Sequence, residues 1–261
     1  MMDTGKFPAT RLLRCYVLEA KYEFLRLLRT PSFVLPSLLF PAMFYLLFGV
    51  VLGARRGGGE LQAYLLATYG IFGVMGVALF GFGVTIAIER ERGFLTLKRA
   101  LPMPPGALLF AKLAMAMIFA AIISLTLATL AASLAGVVLA PAQWALLFAI
   151  NVLGVLPFAA IGLCIGSLVS GQAAPAIVNL IYLPMSFLSG LWMPLSVLPD
   201  AIGRFAPVWP SYHLGRIALA VVGRDGAGGV LGHLGVLLAI TLGCFLLARR
   251  QLAKAEQSGP G

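Results

Sequence analysis

Charged side chains are scarce in this sequence, and where they are missing matters more than how few they are. Asp, Glu, Lys and Arg make up 11% of the 261 residues, against about a quarter in an ordinary soluble domain. Long stretches hold none, so no soluble catalytic domain of ordinary size fits between them. Cysteine is nearly missing as well. Cys15, Cys164 and Cys244 are scattered without a CxxC pair, which excludes a disulfide framework and leaves three reduced packing residues. Only His213 and His233 could supply imidazole, and twenty positions apart with no carboxylate nearby in sequence they make no metal-binding pattern. A GxxxxGK[ST] phosphate loop is absent, so any ATP used here would bind to another polypeptide.

What fills the sequence instead is apolar: 61% of its residues are hydrophobic. A helix needs roughly 20 such residues to cross about 30 Å of hydrocarbon. Runs free of charge apart from Lys112, at 33–53, 62–88, 107–137, 143–169, 173–193 and 229–248, meet that length. The fold class they predict is all-α, a polytopic membrane protein with six transmembrane helices in one bundle over 33–248. Only Ser170, Gly171 and Gln172 separate the fourth and fifth spans, a tight turn between antiparallel helices.

Lysine and arginine set the orientation. With a cytoplasmic N-terminus, the inner side carries fourteen of the 19: Lys6, Arg11, Arg14, Lys21, Arg26, Arg29, Arg90, Arg92, Lys98, Arg99, Lys112, Arg249, Arg250 and Lys254. The outer side carries Arg55, Arg56, Arg204, Arg216 and Arg224. Both termini are therefore expected in the cytoplasm. The net charge of +10 is accounted for by anionic inner-leaflet lipid, and without a basic soluble domain it does not indicate nucleic acid.

The opening 32 residues lack the apolar core and cleavage site expected of a signal peptide. Residues 10–30 predict an amphipathic interfacial helix instead. Leu13, Tyr16, Val17, Ala20, Phe24, Leu27 and Leu28 share one face, Arg11, Arg14, Arg26 and Arg29 lie opposite, and Pro31 stops the helix.

Inside the spans the polar groups are neutral: Thr85, Ser124, Thr126, Thr129, Ser133, Asn151 and Asn179, with Lys112 expected in the first turn of its helix. Ion-coupled carriers use intramembrane charge to bind and relay the ion, which counts against a secondary carrier. An intramembrane serine protease would need Ser and His at one depth, whereas Ser170 and His233 fall at opposite ends of their spans. Gly49-x-x-x-Gly53 and Gly162-x-x-x-Gly166 allow close helix approach, more readily within one bundle than at a dimer seam.

Two connecting segments stand out. Residues 89–106 combine alternating charge (Glu89, Arg90, Glu91, Arg92) with an apolar set (Phe94, Leu95, Leu97, Leu101). Gly93 permits a break, 95–101 can form a short helix, and Pro102, Pro104 and Pro105 stiffen the return. In the second, Pro194, Pro199, Pro207 and Pro210 fall within seventeen residues and cannot share one continuous helix. With Trp192, Trp209 and Tyr212 suited to the membrane boundary, 194–222 reads as short helices re-entering the outer leaflet between spans five and six.

Glu89-x-Glu91-x-Gly93, then Leu101-Pro102 and Lys112, resembles the cytoplasmic loop of type-2 ABC exporter permeases, with Phe94 where Thr is usual. A second, independent likeness is Ser189-Gly190, Met193-Pro194, Leu198-Pro199 and Pro207 to Tyr212, ending near Arg216. The resemblance implies one type-2 transmembrane domain over 1–261. It implies an ATPase-coupling role for Glu89, Glu91, Gly93, Phe94, Leu97, Leu101 and Pro102. It implies an outer gate at Gly190, Pro194, Pro199, Pro207, Pro210 and Tyr212. By the same likeness the second and fifth spans line the substrate path, with Phe72, Met75, Phe80, Asn179, Tyr182 and Met185 as candidates. A homodimer or paired permease above two ABC ATPase subunits, in the bacterial cytoplasmic membrane, is implied too. ATP and Mg²⁺ would sit on the partner and no cofactor on this chain. The expected activity is ATP-driven export of a drug- or lipid-like amphiphile by alternating access, with polysaccharide export as the alternative.

Overall fold

The computed structural model describes residues 9–53, 59–100, 104, 106–224 and 229–257. Its described residues form helices joined by short turns, without strands. We number them α1 (Ala9–Leu28), α2 (Pro31–Val51), α3 (Glu60–Glu91), α4 (Phe94–Ala100), α5 (Ala107–Ser133), α6 (Pro141–Leu168), α7 (Ala174–Leu188), α8 (Asp200–Phe205), α9 (Pro210–Val221) and α10 (Val230–Gln257). Single 3₁₀ turns at Leu195–Val197 and Ala206–Val208 flank α8.

Five of these, α2, α3, α5, α6 and α10, are long and apolar enough to cross a membrane. The expected fifth span, 173–193, is shorter than its apolar run. α7 has 15 residues, roughly 22 Å at the helical rise, because Ser189 leads into Gly190 at φ +81° and the chain turns. The expected third span, 107–137, likewise stops at Ser133, ahead of Gly136 at φ +64°.

α3 is the core of the bundle. From Gln62 to Met75 nearly every residue is buried, the pattern of a helix apolar on all sides. α2 and α10 lie at the periphery and keep long apolar faces outward, as lipid-facing helices do. Lipid tails are as apolar as leucine, so helix association here depends on close packing rather than escape from water. That closeness is clearest where α3 crosses α6. A Cβ on Gly83 would sit 2.7 Å from the Gly162 carbonyl, and one on Gly166 would sit 2.5 Å from the Gly83 carbonyl. The Gly162/Gly166 pair therefore packs within the bundle. Around the crossing, residues 77–84 of α3 widen into a π-helical turn. α6 bends at Gly154, where Pro157 cannot donate to the Leu153 carbonyl and Leu214 of α9 fills the gap.

α1 is more than a float on the membrane surface. Tyr16 meets Phe110 edge-on at 5.2 Å, Phe24 lies 5.2 Å from Phe119, and Leu27 is buried, so half of its apolar face straps it to α5. Leu13, Val17 and Leu28 form the other half and remain exposed.

Candidate functional site

At the Glu91 end of α3 the structure gathers four charged side chains from three helices far apart in sequence. Lys112 donates to Glu23 of α1 at 2.6 Å, to Glu89 of α3 at 3.0 Å and to the Thr85 hydroxyl at 2.9 Å. Those are all three donors an ammonium has. Arg26 donates to Glu89 at 2.5 Å and to Glu23 at 2.7 Å. Two carboxylates and two cations cancel, which is what makes burial tolerable: Lys112 is 0% exposed, Glu23 and Glu89 4% each. Lys112 is the sixth residue of α5, not a first-turn flank, and this corrects the expectation that it merely marks a helix end.

The neighbouring residues of α3 reach another way. Arg90 donates to the carbonyls of Ser167 and, at 2.6 Å, Val169, where α6 ends. The Gly171 backbone N–H donates to the Glu91 carboxylate. A Cβ on Gly171 would sit 2.7 Å from that carboxylate, so a side chain there would crowd the contact. Three consecutive residues, Glu89, Arg90 and Glu91, thus fasten α3 to α1, to α5 and to the turn between α6 and α7.

Beyond Glu91 the chain breaks where Gly93 takes φ +73°, and α4 follows. Lys98 of α4 pairs with Glu19 of α1, one helical turn from Glu23. Phe94 and Leu97, three residues apart and so on one face, are 46% and 59% exposed. The segment therefore divides its labour. Glu89 and Glu91 are engaged within the chain, whereas Phe94 and Leu97 offer an unoccupied apolar face. Leu101 and Pro102 lie outside the described residues.

The opposite end of the bundle carries the proline-rich segment. Tyr64 donates to the Gly190 carbonyl at 2.5 Å and Tyr69 to that of Trp192 at 3.2 Å, bolting the turn after α7 to α3. Pro194 and Pro199 precede the Leu195–Val197 turn and α8, Pro207 lies in the second 3₁₀ turn, and Pro210 opens α9. The segment is the predicted series of short helices. Tyr212 lies beside His213 and His233, and His213 Nδ1 meets His233 Nδ1 at 2.8 Å. His213 Nε2 faces the Pro207 carbonyl at 2.8 Å, which can only accept, so His213 donates there and, when neutral, accepts from His233. This pair joins α9 to α10, a contact that a separation of twenty positions concealed. Among the described residues no His, Cys, Asp or Glu cluster could hold a metal ion.

The residues expected along the substrate path divide. Phe72 stacks on Tyr182 at 5.1 Å, Phe80 meets the same ring edge-on at 5.7 Å, and Tyr182 donates to the Phe72 carbonyl at 3.2 Å. Met75 and Met185 are buried. Asn179 is exposed on α7. The polar residues that sequence reasoning missed are Glu19, Glu23 and Arg26. Their one signal is a pair of glutamates a turn apart in an otherwise basic helix.

The sequence matches known proteins over most of its length. The profile of the family described as "ABC-2 type transporter" matches residues 16–222. The chain is also 28% identical over 235 residues to the Bacillus subtilis (strain 168) protein named "Putative transport permease YvfS", covering 90% of this chain and 95% of that one. The match begins inside α1 and ends at the close of α9, so it takes in both connecting segments.

Proposed function

This chain belongs to the ABC-2 type transporter family, a multi-pass membrane transport permease, and on that premise we propose that it is the membrane subunit of an ATP-driven exporter. Families of this type work with an ABC ATPase, and the sequence holds no phosphate loop of its own. We place α4 in a groove of that ATPase, with Phe94 and Leu97 as the docking side chains. In this reading α2, α3, α5, α6, α7 and α10 are six spans, both termini are cytoplasmic, and two copies of the chain stand above two ATPase subunits in the bacterial inner membrane. The substrate is a drug- or lipid-like amphiphile.

One observation carries the reading. α4 is exposed on its apolar face and tied to α1 through Lys98–Glu19, and α1 is in turn tied to α3 and α5 through the Glu89–Lys112–Glu23–Arg26 cluster. A push on α4 would therefore pass through α1 to α3 and α5, since the buried Lys112–Glu23–Glu89 contacts, balanced by the exposed Arg26, resist separation. Arg90 and Glu91 extend the same push to the α6–α7 turn. Differential closure by ATP would then shift the bundle between two states.

The test is biochemical. The purified chain should capture an ABC ATPase from its own membrane and change that enzyme's turnover. A chain carrying Phe94→Asp and Leu97→Asp should insert normally and capture none. Equal capture by both chains would overturn the docking assignment.

A further inference from the structure

Of the neutral polar residues that the sequence places inside the spans, most satisfy themselves. The hydroxyls of Thr85, Thr126, Thr129 and Ser133 each donate to the carbonyl four residues back. Asn151 of α6 does not. Its Nδ2 donates to the Ser124 hydroxyl of α5 at 3.0 Å, while its Oδ1 is buried and has no donor among the described residues. Asn151 is only 5% exposed, so water does not reach that oxygen from outside. A buried acceptor left unpaired carries a desolvation cost that a donor would remove. The amide is also fixed in place. A Cβ on Gly70 of α3 would sit 2.7 Å from its Nδ2 and 2.8 Å from its Oδ1, so α3 passes directly against it.

The same amide forms part of the wall of a cavity of about 400 Å³ between α5 and α6, with Leu66 of α3 beside it. That volume lies within the range of about 300–1,000 Å³ typical of small-molecule sites. Leu125 and Phe148, also in the wall, are exposed apolar side chains, so the cavity opens toward lipid. Trp144 lines it as well and precedes Asn151 by seven residues, about 10 Å at the helical rise. The space therefore runs along α6 from near its start to the amide.

These walls restrict what can fill it. No ionisable side chain lines the cavity, so a charged guest would lie there without a counter-charge. A neighbouring transmembrane helix brings no spare backbone N–H, because its own ladder uses them. An uncharged alcohol dissolved in the membrane brings the missing O–H, and its hydrocarbon part suits Leu66, Leu147 and Phe148. We propose that this cavity is a binding site for such an alcohol, with the hydroxyl donating to Asn151 Oδ1 and the chain directed toward Trp144. The cavity shares no residue with the candidate path at Phe72, Phe80 and Tyr182. Its occupant is a solute of the bilayer, and the site stands whether or not the chain exports an amphiphile.

Trp144 is one of three tryptophans, so it can serve as the reporter. The full chain carrying Trp192→Phe and Trp209→Phe, in phosphatidylcholine nanodiscs, is titrated with octanol brominated at its far carbon. The methyl ether of the same probe, which accepts but cannot donate, is titrated in parallel. Both are counted per lipid, so that partitioning does not enter the comparison. Expected is quenching by the alcohol that saturates and is reversed by plain octanol. The ether should bind about threefold more weakly or worse, the range of one hydrogen bond inside a membrane. Asn151→Leu, close in volume, should lower the alcohol to the affinity of the ether. Ala128→Leu, which places bulk in the cavity and leaves the amide in place, should remove saturable quenching by either probe. Quenching that grows without saturation, equal affinity for alcohol and ether, or a preference for the alcohol that survives in Asn151→Leu would overturn the site. Should Asn151→Leu fail to fold, the alcohol–ether comparison and Ala128→Leu decide the matter.

Discussion

Lys112 and Glu23 meet at 2.6 Å with neither side chain open to solvent, although 89 positions separate them in the chain. The contact makes the first helix a working part of the bundle. With Glu89 and Arg26 it forms a neutral cluster at the foot of α4, where a partner's movement would enter the protein.

Lys112→Met should therefore be costly. It leaves Glu23 and Glu89 buried with Arg26 as their remaining cation in the cluster, and removing one partner from such a group costs about 3–5 kcal/mol. The expected outcome is a clear fall in melting temperature in detergent. Lys112→Met combined with Glu23→Gln restores charge balance around Glu89 and Arg26, and should recover part of the loss. A double variant no more stable than Lys112→Met would mean the cluster is not coupled as its distances indicate.

Phe94→Asp and Leu97→Asp should behave oppositely. Both side chains are exposed, so stability should move by no more than about 0.5 kcal/mol. Burying either at an interface is worth about 1.5–3 kcal/mol, so each substitution should weaken ATPase capture about tenfold or more. Thermal unfolding and pull-down of the same preparations separate the two effects.

Glycine substitutions should rank by what surrounds them. Gly166→Ala drives a methyl to 2.5 Å from the Gly83 carbonyl, and overpacking of that kind costs about 1–3 kcal/mol. Gly190→Ala combines φ +81° with Leu195 at 2.8 Å, whereas Gly93→Ala, at φ +73° with nothing within 4 Å, meets only the left-handed penalty of about 1–2 kcal/mol. Melting temperatures should fall least for Gly93→Ala. A larger loss there than at Gly190 would contradict the packing around the turn after α7.

Much of this was legible from residue order. Charge-free runs locate α2, α3, α5, α6 and α10 because lipid admits only helices or closed barrels, and the four prolines require the broken segment after α7. Gly93 and Pro31 mark breaks for local backbone reasons that need no tertiary knowledge. The charged cluster was hidden because Glu23, Glu89 and Lys112 sit on three helices, and nothing in their spacing says which faces will meet. Glu89 and Glu91 show the same limit. Their pattern points to a coupling segment, but only the packing shows Glu89 buried, Glu91 held by the Gly171 N–H, and Phe94 and Leu97 turned out. The end of α7 was misplaced because Phe187 to Met193 is apolar enough to continue a span, while the turn depends on Gly190 adopting positive φ.

The most direct test of the central claim is substrate flux in proteoliposomes holding this chain with and without its ATPase partner. A fluorescent amphiphile should cross only when both proteins and ATP are present, and Phe94→Asp with Leu97→Asp should reduce that flux to background. Flux that continues at full rate with the permease alone would contradict the account.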